Sequence, residues 1–107
     1  EWYDSYVKQF TVSPDYTSGY TYDALFILKD AIERAKSTKP DDIVSALEKT
    51  DFTGVAARWV FEADHNSRFG PGYRVMGMTQ WQPDGSRKVI WPADIKTGHY
   101  ISPPWSK

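Results

Sequence analysis

The strongest helical pattern in the chain lies in residues 22–36, whose sequence is YDALFILKDAIERAK. Apolar residues recur there at intervals of three and four, which places them along one side of a helix. These residues are Leu25, Leu28, Ile32 and Ala35, and Ala24, Ile27 and Ala31 widen the same face. The charged residues between them, Asp23 included, are assigned to solvent. The pattern therefore predicts a long helix that is buried on two sides.

Working outward, the sequence predicts two further helices. Aromatic and apolar residues recur at helical spacing over residues 2–10, before the break at Ser13-Pro14. Ser37-Thr38 precedes Pro40 and two carboxylates, a pattern typical of a helix start, and residues 40–49 continue with Ile43, Val44 and Leu47 as the buried side. Residues 16–21 are predicted to be a connection between the first two helices.

Strand patterns follow the helices. Alternating apolar and polar residues over 55–61 predict one strand, and Asp64-His65-Asn66-Ser67 supplies its turn. A second alternating run, 73–82, is joined through Pro83-Asp84-Gly85 to residues 88–91, which predicts a β-hairpin. The tail from Pro92, with Pro103-Pro104 near its end, is expected to be extended over a surface.

Composition narrows the classes of function. Thirteen basic and fourteen acidic residues are interspersed and give a net charge of -1, so no nucleic-acid partner is expected. The absence of cysteine excludes disulfides and thiolate metal sites. Aromatic residues make up 16% of the chain, and some of these rings are expected to meet a ligand or another part of a longer parent protein. The beginning at Glu1, without a leader pattern, also indicates a piece of something longer.

Catalytic and metal chemistry find little support in the sequence. His65 lies in a turn-like Asp-His-Asn run without the spacing of a calcium loop, and His99 has no nucleophile motif near it. Gly70-Pro71-Gly72 is not followed by the lysine and helix of a phosphate-binding loop. We therefore expect neither an enzyme, nor a metal site, nor a cofactor.

The segment before the long helix is the candidate ligand-binding site: Tyr16, Thr17, Ser18, Gly19 and Tyr20. Free backbone N–H groups at the amino end of a helix, together with hydroxyl groups, are suited to bind a carboxylate. The rings of Tyr16 or Tyr20 would contact an apolar part of the ligand. The alternative, which these residues alone favour, is plain N-capping by Ser18 or Thr21 with the tyrosines in the core.

The order of several motifs resembles the later part of the type I periplasmic binding proteins. They are Pro14-Asp15-Tyr16, Tyr22-Asp23-Ala24-Leu25, Asp30-Ala31-Ile32-Glu33-Arg34-Ala35, Pro40-Asp41-Asp42-Ile43-Val44, Phe52-Thr53-Gly54-Val55 with Phe61-Glu62-Ala63-Asp64, and Trp81-Gln82-Pro83-Asp84-Gly85 with Val89-Ile90-Trp91-Pro92. One departure concerns the turn after Phe61, where the glycine usual in the family is missing.

The resemblance implies an α/β fold, as the C-terminal fragment of a two-lobed protein similar to the leucine/isoleucine/valine-binding proteins. Residues 1–72 would belong to the first lobe, and residues 73–107 would form a crossover, hairpin and tail against the second lobe. The function implied is a periplasmic solute-binding component of an ABC transporter. Its partners would be an amino acid or related small organic acid, the remaining N-terminal part of the same protein, and the membrane permease. In the family, residues just ahead of the long helix touch the ligand, which falls near Thr17 to Tyr20.

Two alternatives stay open. One is the ligand-sensing lobe of a receptor with the same fold. The other is a small aromatic-rich module that binds carbohydrate or protein, with Trp59, Trp81 and Trp91 as stacking surfaces.

Overall fold

The computed structural model describes residues 1–102, which form three helices and two separate two-stranded antiparallel sheets. In chain order the elements are α1 (Trp2–Phe10), α2 (Tyr16–Ala35), α3 (Pro40–Leu47), β1 (Asp51–Thr53), β2 (Arg58–Val60), β3 (Met78–Trp81) and β4 (Arg87–Trp91). They belong to two compact units, the first being Glu1–Arg74 and the second beginning at Val75. The protein is thus a small mixed structure of helices and antiparallel sheets. The assignment of residues 1–72 and 73–107 to different lobes stays a prediction.

The long helix begins six residues earlier than the sequence pattern indicated. Asp15 is its N-cap, and the Asp15 carboxylate accepts the backbone N–H of Ser18 at 2.9 Å. The last helical residue is Ala35, and the C-cap Lys36 has a φ of 49°, in the left-handed region. The prediction that residues 16–21 form a connection is therefore wrong, because Asp15 caps a helix that starts at Tyr16.

The buried stripe of α2 also differs from the predicted one. It consists of residues spaced by four, namely Gly19, Asp23, Ile27 and Ala31. Leu25 and Leu28, predicted at the centre of the buried face, are 65% and 43% exposed. Asp23, assigned to solvent from its charge, is only 1% exposed.

Helix α3 begins as predicted, with Pro40 in the first turn and Asp41 and Asp42 beside the positive end of the helix dipole. It ends at Leu47, two residues earlier than expected, and buries Ala46, whereas Val44 is exposed. Arg34 of α2 fastens the end of α3, because its guanidinium donates to the Ala46 carbonyl at 2.7 Å.

The single strand predicted for residues 55–61 is in fact a turn followed by a short strand. β1 and β2 pair with Phe52 opposite Trp59, and the Gly54 N–H donates to the Ala57 carbonyl at 2.8 Å to close the turn. Val55 and Ala56 donate their N–H groups to Asp23 instead of a strand partner. The alternation in the sequence did not reveal this long-range competition.

The second unit contains the predicted hairpin in shortened form. β3 pairs with β4 as far as Trp81 opposite Arg87, and the register is irregular between Met78 and Thr79, which ends the regular ladder there. The following segment is fastened to this sheet, since Thr97 donates its N–H to the Val89 carbonyl at 2.9 Å. Of the predicted extended tail, residues 103–107 with Pro103-Pro104 lie outside the described residues.

Within residues 1–102, no helix combines the length and the apolar character that crossing a bilayer requires.

Candidate ligand-binding site

A groove of about 940 Å³ runs between α1 and α2 in the first unit. Its volume falls at the upper end of the range of small-molecule sites, roughly 300–1,000 Å³. The lining residues are Glu1, Trp2, Ser5, Tyr6, Gln9, Phe10, Thr17, Ser18, Thr21, Tyr22, Leu25 and Val55. The groove thus combines aromatic rings with hydroxyl and amide groups.

The aromatic side of the groove belongs to a continuous series of five rings, which we call the ring ladder: Phe10, Tyr6, Trp2, Tyr22 and Phe26. The first four line the groove, and Phe26 extends the series beyond its lining. Neighbouring ring centroids are separated by 4.7, 5.6, 5.7 and 4.8 Å in that order, with tilted planes. These distances are those of attractive aromatic pairs. The ladder forms because the aromatic residues of α1 and the first half of α2 recur at four-residue spacing, which aligns them on facing sides of the two helices.

The polar side of the groove is organised by Asp15. Its Oδ1 accepts the Thr17 hydroxyl at 2.7 Å and the Ser18 hydroxyl at 2.9 Å, in addition to the Ser18 N–H. These hydrogen bonds, that from the Thr17 hydroxyl foremost, stabilise the carboxylate and lower the pKa of Asp15 to about 2. The mouth of the groove beside Thr17 and Ser18 therefore carries a fixed negative charge at neutral pH.

The five residues predicted to contact a ligand are distributed over several sides of α2. Thr17 and Ser18 line the groove, whereas Tyr16 is 73% exposed and does not. Gly19 is buried, and a methyl group added to it would lie 3.3 Å from the Ala56 Cβ. Tyr20 packs edge-on against Trp59 at 5.4 Å and lines a separate apolar pocket of about 250 Å³.

The surroundings of the expected carboxylate site differ from the sequence prediction, and the ligand contacts themselves stay a prediction. The helix begins at Tyr16 and not at Tyr22, and at this end Asp15 already accepts the Ser18 N–H. A ligand carboxylate at the same place would also meet the negative charge of Asp15 at close range. The alternative, N-capping by Ser18 or Thr21 with the tyrosines in the core, is wrong as predicted, because Asp15 is the N-cap and Tyr16 is exposed.

Asp23 holds the loop that forms one end of the groove. Its carboxylate accepts the N–H groups of Val55 and Ala56 at 2.7 and 2.9 Å and the indole N–H of Trp59 at 2.8 Å. A Cβ on Gly54 would overlap this carboxylate, so that only glycine fits there. Asp23 was missed because its charge argued for solvent. Its spacing of four residues from both Gly19 and Ile27 is the signal that would have placed it in the core.

The other residues considered for metal binding or stacking, His65 and the three tryptophans, differ in their contacts and exposure. His65 lies in the predicted turn, at a φ of 64°, and its Nε2 is 3.1 Å from a Glu48 carboxylate oxygen. Trp59 is 9% exposed, so it cannot serve as a stacking surface as suggested, whereas Trp81 and Trp91 are 70% and 58% exposed. Across the part of the chain described, His, Asp and Glu side chains form no group of three or more placed to hold a metal ion.

Comparisons of this chain with models of protein families, with curated proteins and with solved structures found no match.

Proposed function

We propose that this chain is the C-terminal part of a two-lobed solute-binding protein that serves an ABC transporter. In this proposal the first unit belongs to one lobe, and the groove between α1 and α2 contributes to the binding of an amino acid or a related small organic acid. The solute contacts both lobes, favours the closed state through its higher affinity for that state, and the closed protein docks on the membrane permease in the periplasm.

The observation that carries the proposal is the second apolar side of α2. Leu25 and Leu28, which are neighbours on one side of the helix, are 65% and 43% exposed, although another side of the same helix is already buried through Ile27 and Ala31. Exposed apolar side chains in such a row are typical of a surface that packs against another protein segment. In an α/β lobe, a helix of this kind lies between a sheet and a neighbouring helix. A longer parent protein would supply that sheet.

The packing part of the proposal is tested by Leu25→Asp in two contexts, the 107-residue chain and the longer parent protein. In the short chain, where Leu25 is exposed, the substitution should change the free energy of unfolding by less than about 0.5 kcal/mol. In the parent protein, burial of the charge should cost about 3 kcal/mol or more. An equally small effect in both contexts would contradict the proposal.

The binding part is tested by thermal unfolding of the parent protein in the presence of amino acids and small aromatic acids. A solute that binds the native state raises the melting temperature, by an amount that grows with its concentration. Thr17→Val removes a hydroxyl from the groove at nearly constant volume and should reduce this rise. Thr79→Val, which removes an exposed hydroxyl from β3, is the matched control and should leave it intact.

Tyr20→Ala is less informative, because Tyr20 packs against Trp59 and its loss would disturb folding as well as binding. The outcome that contradicts the binding proposal is a panel in which no solute raises the melting temperature of the parent protein. A rise that Thr17→Val and Thr79→Val leave equally large would place the solute outside the groove.

A second candidate function, an aromatic module for carbohydrate, is favoured by the exposed Trp81 and Trp91. The two residues belong to the same two-stranded sheet, where Trp81 is opposite Arg87 and Trp91 is opposite Met78. For this candidate, calorimetric titration with soluble oligosaccharides should give binding that Trp81→Ala abolishes. Tyr100→Ala, which removes another exposed ring from the same unit, should not affect it.

A further inference from the structure

We infer that the α1–α2 groove receives an organic ammonium group, which lies against the ring ladder with Asp15 as its counter-charge. The inference rests on the proposed function, since it names the class of ligand group that enters the same site. It reverses the charge expected from the sequence, where this helix end was interpreted as a carboxylate site.

The side-chain charges around the groove are negative. Among the twelve residues that line it, Glu1 is the only one with a charged side chain, and no lysine, arginine or histidine is present. Asp15 adds a second carboxylate, bonded to the two lining residues Thr17 and Ser18. The ammonium group of Glu1 is already paired with the Asp4 carboxylate at 3.0 Å, so an anionic group in the groove would have to compete with Asp4 for it. A cation would be attracted by the carboxylates of both Glu1 and Asp15.

The ring ladder provides a surface suited to a cation. The π-faces of tryptophan and tyrosine attract ammonium groups within about 6 Å of the ring centroid, most strongly where water is partly excluded. Trp2 and Tyr6 are half-buried, and Tyr22 is 39% exposed, so these rings are sheltered while one side of the groove stays open.

Hydrogen-bond acceptors are also available to an ammonium N–H. Ser5, Gln9 and Thr21 line the groove with oxygen atoms that can accept. An apolar body attached to the ammonium group would rest on Phe10 and Val55, which line the groove as well. The groove is therefore complementary to a molecule with one cationic end and one apolar or aromatic end.

The experiment compares three probes that share a phenylethyl body and differ in the charge of the attached group: 2-phenylethylammonium, 2-phenylethanol and 3-phenylpropionate. The indole N–H resonance of Trp2 in the 107-residue chain reports their binding by NMR titration at pH 7 and low salt. We expect the ammonium probe to bind most tightly and the carboxylate most weakly. Raising the salt concentration should weaken the ammonium probe alone, since salt screens exposed charges.

Asp15→Asn separates the charge of Asp15 from its role as a cap. Asparagine caps a helix about as well as aspartate, so that the fold is retained while the charge is removed. We expect the ammonium probe to bind about two- to fivefold more weakly, the effect of one exposed charge pair, and 2-phenylethanol to be unaffected. Asp84→Asn is the matched control, because Asp84 accepts the N–H and hydroxyl of Ser86 in the second unit.

Tyr22→Leu tests the rings, with Tyr16→Leu as the control for a tyrosine outside the groove. We expect Tyr22→Leu to weaken the ammonium probe and Tyr16→Leu to leave it unchanged. If far-UV circular dichroism shows that a groove variant has lost helix, the test of the ammonium preference rests on the probe comparison and the salt titration with the unchanged chain.

Several results would overturn the inference. They are equal or tighter binding of 3-phenylpropionate, equal effects of Asp15→Asn and Asp84→Asn in folded proteins, or no response of Trp2 to any probe. The proposed function fails separately, if no solute stabilises the parent protein while the ammonium preference holds in this chain. Conversely, a parent protein that binds solutes in this groove through their carboxylates would refute only the ammonium inference.

Discussion

Asp23→Asn should destabilise the first unit strongly, although it changes one atom. The two carboxylate oxygens of Asp23 accept three hydrogen bonds, from the backbone N–H groups of Val55 and Ala56 and from the indole of Trp59. The Asp23 side chain is 1% exposed, so water cannot replace any of them.

The size of the effect follows from the number of donors. Asparagine offers one acceptor oxygen, and its NH₂ group would face at least one of the N–H groups that now point at the carboxylate. The substitution exchanges charge-assisted hydrogen bonds for neutral ones and leaves a donor unpaired, which costs about 2–4 kcal/mol in total. Such a loss is a large share of the stability of a small domain, typically about 5–15 kcal/mol.

Urea unfolding followed by far-UV circular dichroism measures the change in the free energy of unfolding, and amide hydrogen exchange of Val55 and Ala56 reports the loop directly. Asp30→Asn is the matched control, because Asp30 is on the same helix and pairs at the surface with Arg34. It should cost less than about 1 kcal/mol. If Asp23→Asn costs no more than Asp30→Asn, with unchanged exchange of the two amides, the assignment of Asp23 as the anchor of this loop is refuted.

Three further predictions concern single contacts. Gly54→Ala should cost about 1–3 kcal/mol in the same urea assay, because the added methyl group overlaps the Asp23 carboxylate. The NMR titration of Asp15 should show a pKa of about 2, below the usual 3.8. The stabilisation that this cap gives to the folded state is then complete above pH 3.8 and is lost as the pH falls through about 2. Faster amide exchange at the start of α2 would reveal the loss. Arg34→Met should cost about 1–2 kcal/mol, since it removes hydrogen bonds to the end of α3 and to the Thr50 hydroxyl at 3.1 Å, and a double variant with Thr50→Val should cost less than the sum.

Elements with a local cause were predictable from the sequence. Helix α1 has the bounds expected from its aromatic spacing, and α3 starts at the expected Pro40. The turn at Pro83-Asp84-Gly85 is present between β3 and β4, where Asp84 accepts the N–H of Ser86. In each case the residues that determine the element lie within a few positions of it.

Elements that depend on contacts between residues far apart in the chain were not predictable from the sequence. The donors that occupy Asp23 come from residues 32, 33 and 36 positions later, so the burial of this carboxylate has no local signal except its helical spacing. The same distant contact removes Val55 and Ala56 from the predicted strand. The groove was not predicted either, because it requires residues 17–19 to be helical. Their glycine and hydroxyl groups are typical of a loop, whereas in the structure Asp15 caps a helix there.

The core and the candidate site of the first unit share the same interaction. Asp23 fixes Val55 and Ala56; Val55 lines the groove, and Ala56 lies against the Gly19 position one turn before Asp23. A change that loosens Asp23 should therefore alter both the stability of the unit and the shape of the groove. Substitutions on the rim, at Asp15 or Tyr22, act on the ligand without touching this anchor. For this reason, loss of binding identifies the site only when it follows a substitution of Asp15 or Tyr22. Loss of binding after a substitution of Asp23 can result from the lower stability of the whole unit.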